Sequence, residues 1–326
     1  MKKLSLFSAT LLFILFANAQ IVNIPDTNFK AALIAHNPVI DTSGDGEIQV
    51  SEASAYTGNI NVFNENISDL TGIEAFIALT DLNCCYNQLS TLDVSNNTAL
   101  TNFYCNNNLL SSLNVNNNTA LTDLQCCNNQ LTTLDISNNT ALTYLYCENN
   151  QLDTLDVSNN TALTYLICDY NQLSSLDVSN NTALTDFCCN NNLLSSLNAK
   201  NGNNYILSFF VADNNPNLFC IEVDDSTWST ANWAFIDPQS YFSEDCSTSG
   251  VKEIQRTELR VYPNPTTGKI RLQAEGVERI EIMDIQGKQI YTGIKKEINL
   301  SNNSKGIYFI KVTTEKGVAV GKMVLE

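Results

Sequence analysis

Histidine is almost missing from this chain: His36 is the only one in 326 residues. A Ser-His-Asp triad, a Cys-His pair and a multi-histidine zinc site would each have to use that one ring. It falls in a short helical stretch before an acidic loop, where an ordinary surface role is expected. Cations are nearly as scarce. Between residues 20 and 250 only Lys30 and Lys200 stand against 25 Asp plus Glu, a net charge of −23. A surface so acidic repels phosphate backbones, which argues against nucleic acid as a partner; its simplest use is solubility. Beyond residue 19 there is no apolar run long enough to span a bilayer.

The ends of the sequence differ from its body. Met1-Lys2-Lys3, the apolar run Leu4 to Phe16 and the small residues Ala17-Asn18-Ala19 have the order of a secretory signal peptide. Cleavage after Ala19 would leave Gln20 first. Residues 251–326 hold 13 Lys plus Arg against 9 acids, a net of +4, so the charge changes sign near residue 250. Such a switch marks a domain boundary.

Residues 78–203 repeat with a period of 21, in units starting at Ala78, Ala99, Ala120, Ala141, Ala162 and Ala183. A typical unit reads A-L-T-x-L-x-C-x-x-N-x-L-x-x-L-D-V-S-N-N-T. The units match the leucine-rich-repeat consensus, with cysteine in its third apolar position. Leu82, Phe103, Leu124, Leu145, Leu166 and Phe187 form one column, and Cys84, Cys105, Cys126, Cys147, Cys168 and Cys189 another, two residues on. Positions two apart on a strand face the same way, so each unit offers a short strand with an apolar inner face. Stacked, they make a parallel sheet with strands about 4.8 Å apart. The columns of Leu89, Leu92 and Val94 close the same core. One coil cannot bury its own face, so the array is stable only as a stack. The expected fold is a mostly β, α/β-type solenoid: a right-handed coil with a parallel concave sheet.

Asn87, Asn108, Asn129, Asn150, Asn171 and Asn192 form a further column where the chain leaves the strand. A carboxamide both donates and accepts, so a stacked ladder can serve the backbone groups stranded there. The S-N-N-T segments read as turns, and repeat geometry accounts for their Asn-x-Thr pattern without glycosylation. The cysteine column reads as small buried hydrophobes with free thiols, because parallel side chains on adjacent strands do not readily reach disulfide geometry. Cys85, Cys127 and Cys188 are expected to point outward. Cys220 and Cys246, outside the array, flank the Trp228 to Phe242 segment and are expected to staple the solenoid's open end.

Residues 41–52, D-T-S-G-D-G-E-I-Q-V-S-E, fit an EF-hand loop. Asp41, Ser43 and Asp45 would give side-chain oxygens to calcium, Glu47 its carbonyl, and Gln49 a carbonyl or a bridging water. Glu52 would close the site and Gly46 permit the turn. Helices are expected from Asp26 to Ala35 and from Ser51 to Tyr56. The ion's role would be structural, in an amino-terminal cap. Ile60, Val62, Ile67 and Leu70 make a degenerate first repeat with Glu65 at the ladder position. Leu207, Phe210 and Ala212 make an irregular last coil.

After residue 257, strands such as R-I-E-I-M-D-I and G-I-Y-F-I-K-V alternate with Gly, Asn and Lys turns, as in a small antiparallel β-sandwich. V-Y-P-N-P-T-T-G-K-I, M-D-I-Q-G-K-Q-I, G-I-Y-F-I-K-V and the terminal G-K-M-V-L-E resemble the type A sorting domain of the type IX secretion system of Bacteroidetes. The matching positions are Tyr262, Pro263, Asn264, Pro265, Gly287, Gly306, Tyr308 and Lys322. The resemblance implies passage across the outer membrane by the type IX machinery, then release or surface attachment. The stretch I-P-D-T-N-F-K-A-A-L, the calcium-like loop and the cysteine-bearing repeats likewise resemble internalin-like repeat proteins, a resemblance that transfers no ligand.

The expected domains are a signal peptide (1–19), a helical cap (20–56), the solenoid (57–219), a closing cap (220–246), a linker (247–256) and the sorting domain (257–326). Outward strand positions read Asp81, Asn102, Asp123, Tyr144, Tyr165, Asp186 and Asn83, Tyr104, Gln125, Tyr146, Ile167, Cys188. They gather Tyr104, Tyr144, Tyr146, Tyr165 and Ile167, with Tyr170 at the edge and Glu148 and Asp169 beside them. Tyrosines offer apolar area with a polar tip, suited to a protein or glycan partner; the same rings could simply pair across strands. The sequence therefore predicts an extracellular binding module rather than an enzyme. The other readings are a structural surface component and a glycoside hydrolase using Glu148 and Asp169.

Overall fold

A computed structural model describes residues 20–247, 259–274, 276–314 and 317–326. The expected signal peptide, and all of the expected linker but Ser247, lie outside these residues. The chain divides into two compact units between Cys246 and Ser247.

The first unit opens with helix α1 (Thr27–Ile34), capped by the Asp26 carboxylate, and helix α2 (Val50–Ala55). Strands of three residues follow: β1 (Asn59–Asn61), β2 (Asp81–Asn83), β3 (Asn102–Tyr104), β4 (Asp123–Gln125), β5 (Tyr144–Tyr146), β6 (Tyr165–Ile167), β7 (Ser175–Asp177), β8 (Asp186–Cys188), β9 (Ser196–Asn198) and β10 (Phe209–Val211). All but β7 and β9 form one parallel sheet in chain order. From β2 to β6 each step pairs residues 21 apart, as in Leu124 with Leu145, so the sequence period is the register. Strands β7 and β9 join β11 (Cys220–Glu222) and β12 (Tyr241–Ser243) in a second parallel sheet. Helix α3 (Ser226–Asn232) lies between the last two.

The middle residue of every long-sheet strand points inward, as do the six cysteines two positions further on, none more than 2% exposed. The degenerate coil closes the same core through Ile60, Val62, Ile67 and Leu70, and the last coil through Leu207, Phe210 and Ala212. Asparagine completes each coil. Asn150 Nδ2 donates to Cys126 O (3.1 Å) and Cys147 O (3.2 Å), while its Oδ1 accepts from Leu131 N (3.0 Å). A second, fully buried ladder, Asn97, Asn118, Asn139, Asn160 and Asn181, lies in the S-N-N-T segments. There Asn139 Nδ2 donates to Val115 O (3.0 Å) and Asn118 O (2.8 Å). These turns are thus tied into the stack, which is more than a surface role.

Three cysteines depart from expectation. Cys85, Cys127 and Cys188 lie on the outer side of the sheet yet are only 4%, 7% and 8% exposed. Short strands stacked in register let the neighbouring coil cover them: the Cys85 thiol donates to Asn106 Oδ1. Burial raises their pKa to about 11, 12 and 12, which keeps them as unreactive thiols near neutral pH. Cys220 and Cys246 are joined by a disulfide. Inside that closed end Trp233 stacks on Phe210, ring centroids 4.3 Å apart, and donates from Nε1 to Leu207 O (3.0 Å).

The second unit is antiparallel. Strand β14 (Lys269–Gln273) pairs with β13 (Arg260–Tyr262) on one side and with β17 (Glu297–Asn299) on the other. Strands β15 (Val277–Asp284), β16 (Gln289–Gly293), β18 (Gly306–Thr314) and β19 (Gly317–Leu325) form the other sheet, in the order β16-β15-β18-β19. Ile270, Leu272, Ile298, Ile280, Ile282, Ile310 and Met323 fill the core between them.

Candidate partner-binding face

On the outer face of the long sheet the third strand positions run Tyr104, Gln125, Tyr146, Ile167, Cys188 and Val211. A parallel bridge from Val211 to Phe235 adds one more step. The first positions run Asp81, Asn102, Asp123, Tyr144, Tyr165, Asp186 and Phe209. The face therefore has two halves. Over β2 to β4 it is acid and amide apart from Tyr104, and over β5 to β10 largely aromatic and aliphatic.

Tyr144 and Tyr165 stack with centroids 5.0 Å apart, while Tyr144 stays 39% exposed. Tyr146 and Ile167 are their register neighbours. Tyr104 does not join this group. One strand separates it from Tyr146, and its hydroxyl donates to Asp123 Oδ2 (3.0 Å). Tyr170 stands past the strand end at φ 52°, in a column with Tyr86, Asn107, Asn128, Asn149 and Asn191. This column needs a left-handed backbone, which favours asparagine. Sequence reasoning missed Phe209 and Phe235, which extend the patch at 47% and 58% exposure. Alternation could have found Phe209, since inward Phe210 makes its neighbours Phe209 and Val211 face out.

Glu148 and Asp169 occupy one column on neighbouring coils, linked through Asn149 N to Asp169 O (3.0 Å). Both are half-buried. Burial raises the pKa of each; for Glu148 the nearby Asp169 charge adds to the rise and the Cys127 thiol offsets part of it. Glu148 Oε2 is buried without a hydrogen-bond partner among the described residues. Burial likewise raises Asp123, against hydrogen bonds from Tyr104 and Gln125. The two cations of residues 20–250 are elsewhere: Lys30 pairs with Glu47 at 2.6 Å and Lys200 donates to Glu244 O (2.8 Å).

The amino-terminal loop is built differently. Asp41 Oδ1 accepts from Gly44 N (2.7 Å) and Ser43 Oγ (3.1 Å), and its Oδ2 from Gly46 N (2.9 Å). Asp45 accepts from Gln49 Nε2 (2.9 Å) and Glu47 N (2.9 Å). Glu52 accepts from Ser43 N (2.8 Å), Thr42 Oγ1 (2.8 Å) and Gln49 N (3.0 Å), which closes a capping box on α2. Gly44 and Gly46 take φ of 71° and 81°, as so tight a loop requires. The oxygens of Asp41, Ser43 and Gln49 lie side by side, Ser43 Oγ being 3.2 Å from Gln49 Oε1. All are hard donors of the kind calcium takes. Glu52, turned onto α2, would have to release amides to join them. Among the described residues, no group of three or more His, Cys, Asp or Glu side chains converges as metal ligands. His36 is structural: its Nε2 accepts from Asn61 N (3.2 Å), and its Nδ1 faces Pro38 O (3.0 Å).

In the second unit, Asn264 clasps the last strand, donating to Lys322 O (2.7 Å) and accepting from Val324 N (2.9 Å). Tyr308 is buried, and its hydroxyl donates to Ser304 O. Gly287 and Gly306 take φ of 81° and 153°. Tyr262 is 43% exposed, beside Pro263, and Pro265 follows Asn264.

A family described as the secretion system C-terminal sorting domain matches residues 260–326. Internalin J of Listeria monocytogenes serotype 4b (strain F2365) is 36% identical over 74 residues. That segment is 23% of this chain and spans only 8% of that relative. Among solved structures, the leucine-rich repeat domain of APL1B is similar at a TM-score of 0.44 and 21% identity, over 51% of this chain and 56% of that one. Internalin C2 of Listeria monocytogenes str. 4b F2365 gives 0.42 and 21%, over 63% and 98%. The functional domain of InlJ from Listeria monocytogenes, described as including a cysteine ladder, gives 0.30 and 19%, over 94% and 100%. The repeat assignment itself stands on the 21-residue strand register and the two asparagine ladders. The terminal unit assigns the chain to type IX export, to the medium or the outer cell surface. The chain thus joins a leucine-rich-repeat solenoid to a unit, residues 260–326, that matches the secretion system C-terminal sorting domain.

Proposed function

We propose that the repeat unit is an extracellular recognition module, without catalysis, that takes a protein or glycan partner on the outer face of its long sheet. The supporting observation is the aromatic half of that face. Tyr144, Phe209 and Phe235 remain 39%, 47% and 58% exposed on a unit that is otherwise strongly acidic. Cross-strand stacking accounts for Tyr144 and Tyr165 alone. It gives no reason for two exposed phenylalanines further along the same sheet, and exposed aromatic surface of that sort is a mark of interaction sites. The test is a pull-down and a glycan array with the exported protein, repeated after changing Tyr144, Tyr146 and Tyr165 to alanine. Loss of signal is expected; an unchanged signal rejects the face. A hydrolytic activity abolished by Glu148→Gln would replace binding with catalysis.

For the amino-terminal loop, a structural calcium ion is the reading its oxygen donors support, held by Asp41, Ser43, Asp45, Gln49 and the Glu47 carbonyl, with Glu52 rotating in to complete the set. Calorimetric titration checks it. No heat of binding, together with a melting temperature indifferent to chelator, would remove the ion.

A further inference from the structure

We propose that the occupant of this face is an extended polypeptide segment carrying arginine or lysine, whose cationic head seats against Glu148 and Asp169. This rests on the recognition reading above and adds the chemistry of the partner. Glu148 Oε2 is shielded from solvent and accepts no hydrogen bond among the described residues. A carboxylate with one oxygen left without a donor is costly, and a cation brought by a ligand to the exposed part of this half-buried side chain offsets that cost. Asp169 lies in the same column one coil on, near enough for its charge to act on Glu148. Neither chain cation of residues 20–250 relieves them, since Lys30 and Lys200 are engaged elsewhere.

The surroundings match a long cationic side chain. Tyr146 and Ile167 precede Glu148 and Asp169 by two residues on their coils. In extended backbone that spacing keeps side chains on one face. An aromatic ring and an aliphatic side chain thus stand next to the acids, able to cover the stem of an arginine or lysine while its head meets the carboxylates. Eight strands about 4.8 Å apart give a track about 34 Å long, enough for about ten extended residues. A neutral glycan would leave both carboxylates without counter-charge. An acidic glycan would be repelled.

The experiment measures fluorescence anisotropy of labelled ten-residue peptides with the full exported protein. One peptide alternates Arg with Gly and Tyr, a second replaces each Arg by citrulline, and a third by Glu. The Arg peptide is expected to bind and the other two not. The double variant E148Q/D169N should weaken binding at least tenfold. D135N/D156N, which alters two exposed acids outside the long sheet, should leave it within twofold. Circular dichroism establishes that each variant is folded. Failure of the Arg peptide to bind overturns the proposal, as does equal weakening by both double variants, which would mean diffuse attraction to an acidic surface. Binding of cellohexaose or chitohexaose that E148Q/D169N leaves unchanged also overturns it, while the recognition face would survive as a glycan site. If no probe responds to alanine at Tyr144, Tyr146 and Tyr165, it is the face itself that fails.

Discussion

The carboxylates of the amino-terminal cap and those of the long sheet's outer face belong to one acidic unit and behave in opposite ways. Asp26 accepts from Asn28 N, Phe29 N, Ser68 N, Ser68 Oγ and Asp69 N. Burial would raise its pKa, but these donors hold it below the ordinary value. The same balance, with the same winner, lowers Asp41 and Glu52. On the face, Glu148 and Asp169 are desolvated with too few donors, and their pKa rises. Cap acids are consumed by the fold. Of the face acids, Asp123 is bonded by Tyr104 and Gln125, whereas Glu148 gains only partial relief from its own amide and the Cys127 thiol, which leaves it and Asp169 for something from outside.

Removing a consumed carboxylate should have the largest effect. Asp26→Ala strips the α1 cap and unties Ser68 and Asp69, joining cap to first coil. A lost helix cap costs about 1 kcal/mol, and further charge-assisted bonds add to it, less the screening at a partly exposed site. A loss of about 2 kcal/mol in denaturant unfolding is expected. If Asp26→Ala costs no more than Glu148→Gln, the contrast between the two regions collapses. Glu52→Gln is milder, about 1 kcal/mol, because the amide oxygen can still accept from Gln49 N or Ser43 N. Hydrogen exchange at those two amides reads it directly.

The core half of this picture was legible in the sequence, because a column repeated six times makes its environment visible. The leucine, cysteine and inner asparagine columns lie where the 21-residue period puts them, and the irregular end coils continue them at steps of 22 and 23 residues. What was not legible depends on neighbours in space. Cys85 and Cys127 alternate outward on paper, yet the next coil covers them. Asn97 and its successors read as turn residues because Asn and Ser suit turns, and only the stack shows their Nδ2 groups bound to the preceding coil. The left-handed column of Tyr86 and Tyr170 leaves no apolar trace to follow. For the face, the tyrosine pair was readable by alternation, whereas Phe235 enters the sheet through a bridge after a helix, and no repeat announces it.

Acid should separate the regions further. A carboxylate whose folded pKa is lowered contributes stability that is present above its unfolded value and lost as pH falls through the folded one. Asp26, Asp41 and Glu52 all have this sign, so on acidification below the ordinary carboxylate range the cap should open before the solenoid. Exchange protection at Ser43, Ser68 and Asp69 should vanish first. Simultaneous loss at Leu131 and Leu152, whose amides the asparagine ladder holds, would mean that cap and coils melt as one unit.

The smallest effect carries the sharpest sign. For Glu148 the folded pKa is raised, so the folded state holds its proton more tightly than the unfolded chain does. Stability is then greatest with the group protonated, and it falls as pH climbs from the ordinary carboxylate value toward the raised one. At neutral pH the charge is a burden on the fold, shared with Asp169 and eased only in part by the Cys127 thiol. Glu148→Gln keeps the shape and deletes the charge. It should leave stability unchanged or raise it slightly at neutral pH, and give that gain up at acid pH, where the native side chain is protonated too. Melting curves of the two proteins at both ends of that range test it. A variant less stable at neutral pH would make Glu148 a structural acid like Asp26, and the face would lose the acid on which the contrast chiefly rests.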